Sequence, residues 1–234
     1  MAAVTEDLAG LAGRLLRAVR TGEPHEEPVE RLSAADPDTL AAALDSDPRR
    51  YAFWLNLYNA WVQLALREDP SRLERRWRFF RAKRVPVAGR ELSLDDVEHG
   101  LLRRSQLKLG LGYLRNPFPG AFERRFRVEE RDPRIHFALN CGAASCPPIA
   151  AYEADDLDDQ LELATEAYLE SAVEHDPDVG EVWVPKLFSW YRGDFGGKRG
   201  TVDFLRRYGL VPEGAAPSVR YRAYDWTPAL GDYR

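Results

Sequence analysis

Sulfur is scarce in this chain, whose 234 residues include two cysteines and one methionine. Both cysteines, Cys141 and Cys146, lie in one short stretch, RIHFALNCGAASCPPI, at residues 134–149. Two thiols five positions apart are compatible with a catalytic nucleophile and a neighbour, half of a metal site, a redox pair, or small apolar packing residues. The functional question therefore concentrates on this stretch.

Long apolar runs are also absent from the sequence. No segment approaches the roughly 18 uncharged residues of a membrane span. Glu6, Asp7 and Arg14 occupy the region where a signal peptide would have its apolar stretch. We therefore expect no membrane span and a cytoplasmic location. A disulfide would normally be reduced there, so free thiols, a metal site or a transient redox pair are expected before a structural bridge.

Acidic residues are few in the middle of the chain, although the whole chain has a net charge of −5. Residues 72–134 contain 17 Lys and Arg against 9 Asp and Glu, so the remainder carries −13. The densest part, residues 72–84, mixes aromatics with arginines as nucleic-acid and membrane-surface segments do. The alternatives are a solvated helix and an anion-attracting rim around a substrate cleft. Because the remainder is acidic, we expect no nucleic-acid partner.

Hydrophobic patterning predicts an α+β protein: a helix-rich single domain with a small, mostly antiparallel sheet. A rearranged papain-like or transglutaminase-like core is one form of this class. Residues 1–48 are predicted to be an N-terminal helical segment packed on a main domain of residues 49–234. The longer predicted helices are 4–20, 51–68, 94–104 and 155–172, and short helices are predicted at DPDTLAAAL and TVDFLRRYG. The predicted strands are a hairpin at 85–92, RIHFALN at 134–140, a pair within 179–191, and SVRYRAYDW.

Two helices carry candidate polar residues. On the buried helix 51–68, the side chains of Asn56, Asn59, Gln63 and Arg67 align on one face, which is either a water-facing edge or the wall of a polar pocket. In SLDDVEHGLLRR, Ser93 precedes Asp96 by three residues, close to a capping box.

His99 follows Asp95 by one turn in the same segment, so that a carboxylate could hold its imidazole. The alternative is that His99 is one polar position on an exposed charged face.

The predicted strand separates His136 from the thiols. If residues 136–140 are extended, His136 lies about 16 Å from Cys141, at roughly 3.3 Å per residue, which is too far for an ion pair. The small residues 142–145 could fold Cys146 back, and backbone N–H groups near Pro147 would favour its thiolate. We therefore expect His99 to be the base, with a ring nitrogen within about 4 Å of one sulfur.

Five ordered motifs carry a resemblance to a known family: FWLNLYNA, SLDDVEHGLLR, IHFALNCGAASCPP, FSWYRGDF and YDWTPAL. Together they resemble the uncharacterised domain family catalogued as DUF547, from about Arg49 to Leu230. The resemblance implies no activity or cofactor. Some animal members are similar in carrying an attached glutaredoxin domain, which favours thiol chemistry. The resemblance marks a possible site at Asn56, Asn59, Glu98, His99, His136, Cys141, Cys146 and Asp194.

The sequence predicts a cysteine-dependent hydrolase or acyl transferase without a cofactor. Its expected substrate is a small molecule or a peptide, and an anionic substrate is one of the alternatives. Cys141 or Cys146 attacks a carbonyl, His99 accepts the proton, and Asp95 or Asp96 orients His99. Glu98 is a further candidate catalytic residue. Candidate binding residues are Asn56, Asn59, His136, Asn140, Trp190 and Asp194. The alternatives are a non-enzymatic binding module with buried thiols, a zinc site of His136, Cys141, Cys146 and His99, and a dithiol redox role.

Overall fold

The computed structural model describes residues 7–233, and its regular structure is mostly helical. The α-helices in this part are α1 Leu11–Thr21, α2 Glu26–Ala34, α3 Pro37–Ala43, α4 Asp47–Glu68, α5 Arg76–Arg81, α6 Ala121–Phe126, α7 Leu157–Ala172, α8 Leu187–Trp190 and α9 Gly197–Arg207. Pro70–Arg75, Lys108–Gly110 and Pro133–Phe137 are 3₁₀ turns, and Asp96–Leu102 is a π-helix. No helix within residues 7–233 is long and apolar enough to cross a membrane.

The strands form two small sheets. β1 (Val85–Val87) and β2 (Arg90–Leu92) are the predicted antiparallel hairpin. The other sheet has the order β3 (Glu174–Asp176), β4 (Glu181–Val184), β5 (Ser218–Tyr221). β3 and β4 pair antiparallel, whereas β4 and β5 pair parallel. The predicted helix-rich α+β class is confirmed, with two sheets where one was expected.

Helix α4 is the buried centre of the fold, as the sequence predicts. Pro48 stands in its first turn, where a missing N–H costs no intrahelical bond. Apolar side chains surround the helix, and Phe53, Trp54 and Leu55 are fully buried. Helix α1 packs against α4, and the buried residues of both belong to one hydrophobic cluster.

Three sequence predictions need correction. The N-terminal helix begins at Leu11, and residues 4–6 of the predicted range lie outside the described part. Residues 134–140 are not a strand, because Asp132 accepts from Arg134 N–H and Pro133 opens a 3₁₀ turn. The second half of 179–191 is helix α8, since the strand stops before Pro185.

A second hydrophobic cluster lies beside the first. It joins Phe137 to Phe188, Phe195 and Phe204 of the C-terminal third and to the inner residues of β4 and β5. Ile135 and Leu139 belong instead to the cluster around α4. The segment that carries His136 and leads into the cysteines therefore runs along the junction of the two clusters.

Candidate functional site

A cavity of about 490 Å³ lies at this junction. Most of its wall is aromatic or aliphatic: Tyr58, Trp77, Phe80, Leu109, Leu111, Leu139, Leu187, Trp190, Tyr191, Tyr224 and Trp226. Its polar wall contains Glu74, Arg76, Asp95, Glu98, His99, Lys108, His136 and Cys141. An apolar cavity with a few convergent polar groups is the usual form of a small-molecule site.

The two cysteines form a disulfide, Cys141–Cys146, in contrast to the free thiols that the sequence favoured. The loop between them turns sharply, and Cys146 N–H donates to Ala143 O at 2.9 Å. Gly142 allows this turn with a φ of 83°. A Cβ at this position would collide with the side chain of Leu66. The loop thus folds Cys146 back onto Cys141, as the small residues permit.

The two sulfur-bearing residues face different spaces. Half-buried Cys141 lines the 490 Å³ cavity, whereas Cys146 is 8% exposed and lines a separate pocket of about 350 Å³. The hydroxyl of Tyr224 is 3.1 Å from both sulfurs, and Cys141 N–H donates to Cys146 Sγ at 2.9 Å. Burial raises the pKa of Tyr224, so the hydroxyl keeps its proton. Both donors would stabilise a thiolate.

Asparagine amides hold the cysteine loop in place. Asn59 donates to Ala138 O and accepts from Asn140 N–H, and Asn140 in turn accepts from Gly142 N–H and donates to Pro147 O. Asn56 makes the same two-way contact with the backbone of Tyr152. None of the three asparagines lines the cavity. Asn56, Asn59 and Gln63 of the polar strip of α4 are therefore buried against backbone, whereas Arg67 at the end of the strip is exposed, as the water-facing alternative predicted.

The π-helix turns Glu98 and His99 inward together. The predicted capping box begins it: Ser93 Oγ accepts from Asp96 N–H at 3.1 Å, and an Asp96 carboxylate oxygen accepts from Ser93 N–H at 2.6 Å. The hydrogen bond from Arg103 N–H to Glu98 O closes a five-residue turn. Two consecutive side chains are buried as a result, so the exposed-face alternative for His99 is wrong.

His99 is held between an arginine and carboxylates. Its Nδ1 is 2.9 Å from Arg103 Nη1, and its Nε2 is 3.7 Å from Asp95 Oδ1. A guanidinium is only a donor, so Nδ1 must be the acceptor and Nε2 carries the proton. Burial lowers the pKa of His99, which favours this neutral form. The lone pair of His99 is therefore occupied, and within residues 7–233 His99 forms no hydrogen bond with either sulfur.

His136 pairs its proton-bearing nitrogen with a carboxylate and, among the described residues, leaves its lone pair without a partner. Its Nε2 is 2.9 Å from Asp194 Oδ2. Burial opposes the ionisation of Asp194, but the hydrogen bond from His136 and the guanidinium of Arg103 hold the pKa of its carboxyl well below the usual range. The ionised carboxylate accepts, so Nε2 carries the proton and Nδ1 keeps its lone pair. Nδ1 has no hydrogen-bond partner in the described part of the chain.

The surroundings of His136 keep it neutral and fixed. Burial lowers its pKa, and its ring stacks on Tyr191 with centroids 3.9 Å apart. The predicted distance to Cys141 assumed an extended strand, whereas a 3₁₀ turn rises only about 2 Å per residue. His136 and Cys141 consequently line the same cavity.

Glu98 is a buried carboxylate between two tyrosines. It accepts from Tyr191 Oη at 2.7 Å and from Tyr58 Oη at 3.4 Å. Burial opposes its ionisation, but the cation of Arg103 and the hydrogen bond from Tyr191 act against burial, and the pKa of Glu98 lies below the ordinary value. Burial raises the pKa of both tyrosines, so their hydroxyls remain donors.

The structure brings most of the sequence-predicted residues together. Those in the cavity wall are Cys141, His99, Glu98, Asp95, His136 and Trp190, while Asp194 stands behind His136. Sequence reasoning missed Arg103, Tyr191 and Tyr224. Tyr191 and Tyr224 lie inside the motifs FSWYRGDF and YDWTPAL, but no spacing rule indicates where their hydroxyls point.

The zinc alternative lacks a ligand set in the structure. Among the described residues, no group of three or more His, Cys, Asp or Glu side chains is arranged to hold a metal ion. The two sulfurs form a disulfide with each other, and His136 is hydrogen-bonded to Asp194.

Comparison with known proteins identifies a family. The sequence model of the family described as "Protein of unknown function, DUF547" matches residues 42–169. This range contains His99, His136 and both cysteines, whereas Tyr191, Asp194 and Tyr224 lie beyond it. No curated protein and no solved structure matches the chain.

Proposed function

Because the chain belongs to the DUF547 family, whose description assigns no activity, we propose its function from the cavity: a thiol-dependent hydrolase or acyl transferase. The observation that carries the proposal is that Cys141 lines an apolar cavity together with His136, a histidine with a free lone pair. Cysteine, histidine and a carboxylate would divide the work in a broadly papain-like or transglutaminase-like way. His136 takes the role of base that the sequence assigned to His99.

The nucleophile is released by reduction. A thiolate of an external dithiol attacks the Cys141 sulfur from the cavity and expels Cys146 as a thiolate, which Tyr224 Oη and Cys141 N–H stabilise. The second thiol of the dithiol then displaces Cys141. The dithiol leaves as a disulfide, and the protein holds two thiols. We propose a cytoplasmic location for this chemistry, where such reductants are maintained.

The acyl-transfer step uses the reduced protein. Cys141 gives its proton to His136 Nδ1, directly or across one water, and its sulfur adds to the carbonyl of the substrate. The tetrahedral adduct collapses, and the leaving group departs with the proton from His136. Water or a second nucleophile then attacks the thioester and frees Cys141. Asp194 fixes the tautomer of His136 throughout.

The substrate is a small molecule or peptide that presents an apolar group to the aromatic wall. Arg76 also lines the cavity and would favour an anionic group on the substrate, whereas Lys108 is paired with Asp95. Glu98 and His99 act as positioning residues in this scheme. His99 accepts from Arg103, which in turn holds Asp194, and Glu98 accepts from Tyr191, on whose ring His136 stacks.

A second candidate is a dithiol oxidoreductase, and the disulfide itself favours it. The exchange described above would then be the reaction rather than its activation. The two candidates differ in their need for Cys146: an oxidoreductase that cycles an intramolecular disulfide needs both sulfurs, whereas acyl transfer needs only Cys141.

Hydrolysis of p-nitrophenyl esters of increasing chain length tests the proposal. We expect the oxidised protein to be inactive and the dithiothreitol-reduced protein to turn over. Cys146→Ser should turn over without reductant, because no disulfide can form, and Cys141→Ser should be inactive under both conditions. The longer esters should be favoured by the apolar wall.

The same two serine variants distinguish the alternatives. Activity that survives in Cys141→Ser contradicts the acyl-transfer proposal. Exchange between dithiothreitol and a fluorescent cystine peptide favours the oxidoreductase if the wild type catalyses it and both variants lose it.

A further inference from the structure

An apolar hairpin projects beside the mouth of the cavity. Leu107 N–H donates to Leu114 O at 2.8 Å, and Asn116 N–H donates to Ser105 O at 2.7 Å, so residues 105–116 form a closed loop. Gly193 N–H donates to Leu111 O at 2.7 Å and ties the loop to the core. The loop is therefore a fixed feature of the surface.

The tip of this hairpin exposes large apolar side chains. Leu109 is 93% exposed, and Trp77, which shares the cavity wall with it, is 68% exposed. Phe118, two residues beyond the loop, is 87% exposed. The other exposed apolar residues of the loop are Leu107, Leu111, Tyr113 and Leu114. Isolated exposed leucines are ordinary, but a concentration of this kind indicates an interaction surface.

Unpaired arginines surround the base of the hairpin. Within the described residues, Arg104, Arg115 and Arg127 form no ion pair, and Arg127 donates to Ser105 Oγ of the loop. Burial and the fields of nearby arginines, Arg104 first, lower the pKa of Arg115. Residues 103–131 contain eight basic and three acidic residues in a chain of net charge −5.

We propose that this surface docks on a membrane that contains anionic phospholipids, with the hairpin tip in the interface and the arginines among the phosphates. Exposed leucine and aromatic side chains can enter the boundary of the acyl chains, and the neighbouring arginines can bind the anionic headgroups. A second copy of this chain would oppose its own arginines with identical arginines, which is unfavourable. Charge complementarity therefore selects the anionic bilayer.

Docking would place the cavity against the bilayer. Trp77, Leu109 and Leu111 belong both to the exposed surface and to the cavity wall. An amphiphilic substrate could then enter from the membrane. The docking itself requires no thiol chemistry, so it stands or falls independently of the proposed function.

Co-sedimentation of the oxidised full chain with vesicles tests the proposal. The two compositions are phosphatidylcholine alone and phosphatidylcholine with one quarter phosphatidylglycerol. We expect binding to the anionic vesicles at least about tenfold stronger than to the neutral ones, weakening as salt is raised. Equal binding to both, or no binding to either, overturns the proposal.

Two variants and a matched control locate the surface. Leu109→Asp should weaken binding by about tenfold or more through lost apolar burial, and Arg115→Glu by a similar factor through reversed charge. Leu163→Asp, at a 65% exposed position on α7, should bind as the wild type does. Circular dichroism checks that each variant is folded. If Leu109→Asp and Leu163→Asp bind alike, or if Leu109→Asp instead dissociates a dimer, the membrane assignment is wrong.

Discussion

Asp194→Asn is expected to lower the free energy of unfolding by about 3–5 kcal/mol, as removal of one partner from a buried ion pair does. The Asp194 side chain is 4% exposed and accepts from Arg103 Nε at 2.7 Å, Arg131 Nη1 at 2.9 Å and His136. An amide at this position would leave the buried Arg103 guanidinium without the carboxylate to which it is directly hydrogen-bonded. Urea denaturation followed by circular dichroism measures the change.

Asp203→Asn is the matched control for this loss of one carboxylate charge. Asp203 pairs with Arg206 on the surface of α9, where an ion pair contributes about 0–1 kcal/mol. If the two variants unfold with free energies within 1 kcal/mol of each other, Asp194 is not the anchor of a buried ionic cluster.

Local patterns were sufficient to predict the elements that tertiary contacts do not override. The apolar circumference of α4 and the capping box at Ser93 were both visible in the sequence. The prediction of a strand at residues 134–140 was wrong because it rested on the alternation of apolar and polar residues. Ile135, His136 and Phe137 are all buried, so this alternation does not distinguish a buried face from a solvent face. Asp132 and Pro133 decide the conformation of this segment, and they precede the pattern.

The candidate site was predicted as a set of residues but not as a set of roles. Spacing pairs His99 with Asp95, yet Arg103, one turn further, takes the Nδ1 lone pair. The π-helix that brings these side chains inward has no sequence rule of its own. His136 meets Asp194 across 58 positions, and only the tertiary fold makes that contact. The disulfide likewise depends on the turn at Gly142 rather than on the spacing of the cysteines.

His136→Gln is expected to reduce ester turnover by about 10²–10⁴-fold, the usual contribution of a general base. The amide Nε2 of glutamine can still donate to Asp194, but no basic nitrogen remains. Because burial lowers the pKa of His136, the wild-type rate should hold to pH values below the ordinary histidine range and fall at lower pH. The rate against pH, measured in the Cys146→Ser background without reductant, checks both points.

His99→Asn is the matched control for this histidine. The asparagine Oδ1 can replace Nδ1 as the acceptor for Arg103, so the loss should be an order of magnitude smaller or less. The outcome that would return the role of base to His99 is an equal loss of ester turnover in both folded variants, together with an unchanged fall of the rate at low pH in His136→Gln.

Timed alkylation tests the central claim, that Cys141 is the reactive thiol facing the cavity. The fully reduced wild type is treated with iodoacetamide at pH 6.5, quenched at intervals, and analysed by peptide mass spectrometry. Because half-buried Cys141 lines the open cavity whereas Cys146 is only 8% exposed, we predict that Cys141 gains label about tenfold faster than Cys146. Equal labelling of both cysteines, or faster labelling of Cys146, would contradict the account.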